Sequence, residues 1–415
     1  MKTLTTLSCL LVITILTFQS QNSSAQWALS SNGITGGVNI NSLASTGNYI
    51  FAGSQGEGVY RSSDNGVSWT AVNNGLTQLS VYSLCVSGQN IFAGTYLGLF
   101  RSTNFGSDWT SSGNGTGGSS IYTFAVSGST IFAGGNAGIF RSNDNGASWT
   151  ELINGLPLNF AATAVAVTGN GILAGENNTT TAGGIYRSTD GGNNWTVSNS
   201  GLSNGNVTCF AVWGSFAYAG TAAGVYVSTN EGVSWSAANG GLAGLFYTNT
   251  LYSYGGNVFL GTNPNGGLFL TTNNGSNWLD KNQGFSGPQY VRSIVVANNY
   301  IFAAKYHSVW RRTYSEAIGI HILSSEVPDG YLLRQNYPNP FNPSTSIEFG
   351  IPGSLPVRLA VFDDKGSEVA VLVDAVLPPG RYIVRFDGSK LGSGVYFYRM
   401  TSRGFAETGK MVLLK

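Results

Sequence analysis

The sequence predicts an all-β chain, a seven-bladed β-propeller followed by a small immunoglobulin-like β-sandwich. Tryptophans recur at Trp69, Trp109, Trp149, Trp195, Trp235 and Trp278, spaced 40, 40, 46, 40 and 43 residues apart, a period that suits one four-stranded blade. Between them run short apolar or alternating stretches bounded by Gly and Asn, which mark antiparallel strands joined by tight turns. After Pro328 the composition shifts, with eight of the eleven prolines lying from there onward. That shift predicts the second domain.

Each repeat supplies four strands. The first alternates, as in VYSLCVSG from Val81 and IYTFAVSG from Ile121; the second is an apolar run such as IFAG at Ile50, Ile91 and Ile131. The third reads GVYRS, GLFRS or GIFRS, and the fourth starts at the tryptophan and ends in an NG-type turn, as in WTAVNNGL. The final repeat, with IFAA at Ile301, has no tryptophan-led fourth strand, while WALSSNGI (Trp27–Ile34) has the missing pattern at the other end. Trp27 to Thr313 therefore accommodates seven units of about 41 residues, closed by strand exchange between the ends.

Charge excludes some classes of partner. Only 9% of residues are charged and the net charge is +1, so neither nucleic acid nor an acidic membrane is recruited by bulk electrostatics. Residues 1–25 read as a signal peptide, with Lys2, an apolar core over Cys9–Phe18 and a small-residue site ending at Ala25. No later stretch approaches the roughly 20 apolar residues of a spanning helix. The expected organisation is a propeller over 26–313, a linker over 314–330 and a C-terminal domain over 331–415. Cys85 and Cys209 fall on strands three blades apart and are expected as separate thiols.

The turns before the tryptophans read SSDNGVSW, SNDNGASW and STDGGNNW. An Asx side chain there caps free backbone N–H groups, and Gly tolerates positive φ. Asp64, Asp144 and Asp190 are replaced by Asn104, Asn230 and Asn273 in the other repeats. A turn accepts either residue, whereas a catalytic acid would not be exchanged, so the position reads as architecture. The strings resemble the Asp-box (BNR) repeat of sialidase-like propellers. Arg61, Arg101, Arg141, Arg187 and Arg311 share one position in the third strand, which also reads as an architectural contact.

Functional side chains are expected on the opposite mouth, in the loops between second and third strands and between blades. Hydrolases of the resembled class, sialidase- or xyloglucanase-like, need a carboxylate pair or an arginine–tyrosine–acid set. Outside the boxes, only Glu57 and Glu176 fall in mouth loops, on blades nearly across the ring. A secreted glycoside hydrolase using that pair is the alternative reading. The leading one is a binding or scaffolding module for an extracellular glycan or protein, with Tyr96, Asn177, Asn178, Tyr247, Tyr306 and His307 as binding candidates and Tyr290 beside them. No metal site or cofactor is expected, since His307 and His321 make no ligand cluster.

The C-terminal region carries Asn336-Tyr337-Pro338-Asn339-Pro340-Phe341-Asn342-Pro343, then Phe362-Asp363 with Gly366, then Gly394-Val395-Tyr396, and ends Lys410-Met411-Val412-Leu413-Leu414-Lys415. Six or seven short strands are expected, with the prolines holding an extended edge segment. The motifs resemble the type A C-terminal sorting domain of type IX (Por) secretion cargo. The resemblance implies Asn336, Pro338, Asn339, Pro340, Phe341, Gly394, Tyr396 and Lys415 as sorting-motif residues and the outer-membrane type IX machinery as partner. It further implies a secreted or surface-attached product.

Overall fold

The computed structural model describes residues 26–177, 183–242, 244, 247–263, 266–324 and 326–415. The predicted signal peptide and Asn178 lie outside the described residues.

Between Ala28 and Thr313 the described residues form seven four-stranded antiparallel sheets. In the first, Ile40–Thr46, Tyr49–Ser54, Val59–Ser62 and Thr70–Ala71 follow in order across the sheet. Five more repeat this order, starting at Val81, Ile121, Ala162, Val207 and Tyr247. The seventh takes Val291–Ala297, Tyr300–Lys305 and Ser308–Thr313 from its own stretch of chain. Its fourth strand is Ala28–Leu29, with Ala28 opposite Arg311 and Leu29 opposite Trp310. Each first strand lies against the first strand of the next sheet, and the seventh against the first, so the sheets stand in a closed cycle.

Six of the seven tryptophans stitch that cycle through the indole N–H, whereas Trp195 Nε1 is buried with no hydrogen-bond partner among the described residues. Trp69 Nε1 donates to the Ser30 carbonyl (2.7 Å), Trp109 to Val72 (2.8 Å), Trp149 to Ser112 (2.7 Å), Trp235 to Ser198 (3.0 Å) and Trp278 to Ala238 (2.8 Å). Each acceptor lies three residues past the preceding tryptophan. Trp27 obeys the same rule across the chain ends, donating to Lys281 (2.7 Å). The backbone N–H groups follow a parallel course, from Trp69 to Asn32 round to Trp27 to Gln283. This seam dictates the glycine six residues past each tryptophan. At Gly155 φ is +87°, and a Cβ would stand 2.1 Å from the Trp195 carbonyl oxygen, so both backbone and space demand glycine.

A second set of contacts runs through the arginines and bridges five of the seven junctions, the equivalent positions of the fifth and sixth sheets being Val227 and Leu270. Nη1 of Arg61, Arg101 and Arg141 donates to the carbonyls of Phe105, Asn145 and Gly191 at 2.8 Å, and Arg187 Nε to Glu231 at 3.0 Å. Arg311 reaches the Asn65 carbonyl and so links the last sheet to the first. Each acceptor follows the Asp or Asn of a turn, in a residue with positive φ. The five repeated arginines are thus answered by the next sheet's turn.

Within the turns, Ser62 Oγ donates to Asp64 Oδ1 (2.7 Å) and accepts from the Gly66 N–H (2.8 Å), while Asp64 accepts from the Ser68 N–H (2.9 Å) and hydroxyl (2.5 Å). Hydrogen bonds from Ser68 foremost hold the Asp64 carboxyl down at about 2; Ser148 and Asn194 do the same for Asp144 and Asp190. Where Asn104 replaces the acid, the charge moves four residues on: Asn104 Nδ2 donates to Asp108 Oδ2 (2.7 Å) and Asn104 Oδ1 accepts from the Asp108 N–H (2.9 Å). Asx identity is interchangeable because the oxygen facing the backbone is common to both.

The C-terminal region forms two further four-stranded sheets. One contains Ile320–Ser324, Gly380–Asp387, Ser344–Ile351 and Leu332–Leu333; the other contains Glu368–Leu377, Leu355–Phe362, Gly394–Ser402 and Phe405–Leu413. This corrects the expected linker over 314–330. Tyr314–Ala317 is a helical turn with Tyr314 buried, and Ile320–Ser324 pairs with residues 381–384. The segment lacks the blade pattern because it belongs to the other sheet. Tyr314 donates to the Tyr254 carbonyl (3.0 Å) and accepts from Asn257 Nδ2 (2.9 Å). One apolar core runs from Phe259 and Ile294 through Tyr314 and Ile320 to Val357 and Met411.

Cys85 and Cys209 are free thiols on the first strands of the second and fifth sheets. Burial pushes them up to about 12 and about 11, far from the thiolate form that reacts.

Candidate functional site

The two faces of the ring are distinct. The Asp/Asn turns and the turns between first and second strands lie on one face, and the C-terminal sheets dock there. Ala375 and Asp374 pack on Gly255 and Gly256, leaving a cleft of about 630 Å³ between Trp213, Asn257 and Asn274 on the ring and Arg358, Glu368 and Asp374 on the tail. Arg358 is held there by Glu368 through two 3.0 Å hydrogen bonds. The other face, the mouth, stays clear of the tail.

At the mouth every first strand carries a bulge at its second or third residue, breaking register between Ile40 and Ser42 and at the equivalent place in all seven sheets. The extra residue is Asn41, Tyr82, Tyr122, Thr163, Thr208, Asn249 or Arg292. A bulge residue is released from the ladder and its side chain is re-aimed. Here the side chains reach the neighbouring first strand. Asn41 Nδ2 donates to Val81 O (2.9 Å), Thr163 Oγ1 to Val207 O (2.8 Å) and Asn249 Nδ2 to Val291 O (3.2 Å). Thr208 and Thr248 hydroxyls meet at 3.0 Å, and Arg292 Nη1 donates to Asn41 Oδ1 (2.7 Å).

This inner rim escaped the sequence reading. Its signal was variability at one position within strands otherwise alike, but alternation alone does not reveal an inserted residue.

The candidates named from sequence fall into separate groups. Tyr96 is 55% exposed and borders Tyr82, whose phenol is pushed up by burial and by the neighbouring Tyr122 and Tyr96. The Tyr82 and Tyr122 rings stand 5.6 Å apart. On the seventh sheet, Tyr306 lies against Tyr290 (5.9 Å) and His307 (3.9 Å), with the Arg292 guanidinium 4.8 Å from the Tyr290 ring centre. Asn177 Nδ2 donates to Tyr247 OH at 2.8 Å, joining the fourth and sixth sheets.

The expected carboxylate pair takes a different form. Glu57 is exposed in its loop, but Glu176 is the last residue of the strand Ile172–Glu176, 3% exposed and opposite Ala162. Buried beside Tyr186 in the fourth sheet, it is not the open-loop acid that the sequence predicts. The strand runs one residue further than expected, so the side chain points into packing. Among the described residues no group of three or more His, Cys, Asp or Glu side chains is placed to hold a metal ion.

The tail gathers motifs far apart in sequence. Asn336, buried, donates from Nδ2 to Pro338 O (3.0 Å) and Thr345 Oγ1 (2.9 Å), and its N–H to Tyr398 OH (3.1 Å). Phe341 is buried against Phe386 and exchanges backbone hydrogen bonds with Val412 and Leu414. Asn339 Oδ1 accepts from the Val412 N–H (2.9 Å). Tyr396 donates to Gly392 O (2.9 Å), Gly394 pairs with Leu413, and Lys415 binds Ser393 and Ser389. The proline segment therefore clasps the last strand of the chain.

Residues 335–414 match the family model described as a secretion system C-terminal sorting domain. That match indicates export by type IX secretion, to the cell surface or beyond it, and an interaction with that machinery. No curated protein matches.

Among solved structures the chain is similar to the extracellular domain of a hybrid two-component system from B. thetaiotaomicron, with 12% identity, TM-score 0.56, 95% of this chain and 60% of that one covered. It is similar to an ancestral GH74 enzyme, with 17% identity, TM-score 0.54, and 94% and 64% covered. The WD40 domain of Neurospora crassa Pan2 is 11% identical, with TM-score 0.51, and 70% and 96% covered. The chain spans less than two thirds of the first two. These likenesses establish a propeller-like all-β fold. Among the described residues no helix is long and apolar enough to cross a membrane.

Proposed function

We propose that the chain is a secreted or surface-attached cargo of the type IX system, built as a seven-bladed Asp-box propeller with an immunoglobulin-like sorting domain, whose mouth binds an extracellular glycan. The cycle of first-strand contacts and the strand Ala28–Leu29 in the seventh sheet support the blade count. The two packed four-stranded sheets support the sandwich, and the serine–Asx–glycine hydrogen bonds support the Asp-box reading.

The observation that carries the binding role is the rim of seven bulges with exposed tyrosines above it. Tyr96, Tyr122 and Tyr306 are 55%, 37% and 43% exposed, and a tyrosine offers a flat apolar face with a polar tip, as sugar rings require. With the tail docked on the opposite face, the sorting signal and the mouth do not compete for space.

A glycan array probed with residues 26–415 tests this. Binding is expected, and Tyr122→Ala should weaken it without unfolding the chain. No binding to any glycan would remove the role. For export, fusing residues 314–415, which keep the strand Ile320–Ser324 of the C-terminal sheet, to an exported fluorescent reporter in a type IX host should yield extracellular signal, and periplasmic retention would count against the sorting reading.

A further inference from the structure

The cleft between ring and tail breaks the repetition of the face on which it lies. The last residue of the first strand is Thr46, Ser87, Ser127 and Val167 in the first four sheets and Ala297 in the seventh. Only the fifth and sixth sheets carry an aromatic ring there, Trp213 and Tyr254. The docked tail uses one of them, since Tyr254 meets Tyr314 edge-on with ring centres 5.1 Å apart. It leaves the other open. Trp213 borders the cleft and is 41% exposed, whereas the other eight tryptophans of the chain are buried.

The arginine clasp is missing at the same junction. Val227 stands where Arg61, Arg101, Arg141 and Arg187 reach the next sheet's turn, so no arginine takes the Asn274 carbonyl. In that turn Asn273 Nδ2 makes no hydrogen bond among the described residues, while Asn104 and Asn230 direct theirs to Asp108 and Ser234. Asn273 and Asn274 are both exposed and line the cleft.

The tail faces them with Arg358, Glu368 and Asp374, whose side chains are 39%, 38% and 50% exposed. Arg358 is held by Glu368 and stands with Nε 3.6 Å from Asp374 Oδ2. One guanidinium against two carboxylates repels an anionic ligand, and its place beside Asp374 weakens the pull on a cation. Asp374 accepts no hydrogen bond among the described residues, so its oxygens are open to hydroxyl donors. The volume of about 630 Å³ is that of a small-ligand site.

We infer that the cleft between ring and tail binds a neutral oligosaccharide, with a sugar ring stacked on Trp213 and its hydroxyl groups held by Asp374 and by the turn at Asn273 and Asn274. An indole offers the flat apolar surface that the C–H face of a sugar ring covers. Ring and tail each supply part of this site, so it exists only while the tail is docked. It is separate from the mouth and does not rest on the reading given for it.

The test uses residues 26–415 with cello-, xylo-, manno- and laminarihexaose, and hexagalacturonate as the anionic counterpart. Trp213 dominates the tryptophan emission that acrylamide quenches, because the other indoles are buried. At least one neutral hexasaccharide is expected to bind by calorimetry and to shield that emission, with hexagalacturonate weaker. Trp213→Ser, which installs the residue type of Ser87 and Ser127, should weaken binding by at least about tenfold, and Trp213→Tyr by less. Asp374→Asn keeps the shape that packs on Gly256 and should weaken it by at least about fivefold. Val227→Arg, which supplies the missing clasp to the Asn274 carbonyl, should weaken it as well. A sugar that binds without shielding Trp213, or with an affinity that Trp213→Ser leaves unchanged, sits elsewhere and overturns the inference while leaving the mouth intact. Absence of binding to every neutral probe, or a preference for hexagalacturonate, overturns it too.

Discussion

The two faces of the ring use repetition in opposite ways. On the face carrying the Asp/Asn turns, equivalent positions hold Asp64, Asn104, Asp144, Asp190, Asn230 and Asn273, and each side chain accepts the same backbone hydrogen bond from the residue four further on. At the mouth, positions just as equivalent carry Asn, Tyr, Tyr, Thr, Thr, Asn and Arg. A side chain that closes a turn must present one acceptor oxygen at one place, which restricts it to Asp or Asn. A bulge residue is outside the ladder, so its identity is free of that demand. The fold thus separates positions that keep the ring shut from positions on which a ligand site can be built.

The largest effect should come from removing residues 26–34. This takes away the seventh sheet's fourth strand, the Ser30 carbonyl that receives Trp69, and Trp27 itself. Losing one buried indole forfeits on the order of 4–6 kcal/mol of gross burial, so calorimetry should show the thermal transition falling by roughly 10 °C or more. An unmoved transition would mean that the ring does not depend on this strand.

Next come paired glycines on the seam and at the mouth. Gly155→Ala forces a Cβ onto the Trp195 carbonyl, whereas at Gly56, with φ +99°, nothing lies within 4 Å. Urea unfolding should show a loss of about 2–4 kcal/mol for the first and about 1 kcal/mol for the second. Equal losses would erase the contrast between the faces.

Smaller shifts separate the turn residues. Asp64→Ala should lower the transition by roughly 2–4 °C, and Asp64→Asn by less, as Asn104 already shows how the amide is accommodated. Acid titration probes the same groups together. Asp64, Asp144 and Asp190 are held at about 2 when folded against an ordinary 3.8. Their contribution to stability is whole above that ordinary value and is lost as pH falls through about 2. Replacing all three with Asn should flatten the pH dependence of the thermal transition over that window. Tyr96→Ala, at an exposed mouth position, should change stability by no more than about 0.5 kcal/mol while reducing glycan binding.

The strand pattern was legible because it is local. Apolar runs such as IFAG and alternating runs such as VYSLCVSG announce strands whatever surrounds them, and the tryptophan period announces how many there are. The candidate site was legible only in part. Tyr96, Tyr306 and His307 were found as loop residues, whereas Tyr82, Tyr122, Asn41 and Arg292 lie inside strands and looked like ordinary ladder positions. Glu176 was misplaced by a single residue of strand length. Ile320–Ser324 was missed as a strand because its partner is more than fifty residues away, in Gly380–Asp387.

By itself, the sequence determined the all-β class, the repeated turns and the sorting motifs, since each depends on residues within a few positions of one another. Tertiary structure alone decided that Trp27 binds Lys281, that seven bulges meet at one rim, and that the tail docks on the face opposite the mouth. Those are contacts between chain segments tens to hundreds of residues apart, and their geometry exists only once the ring has closed.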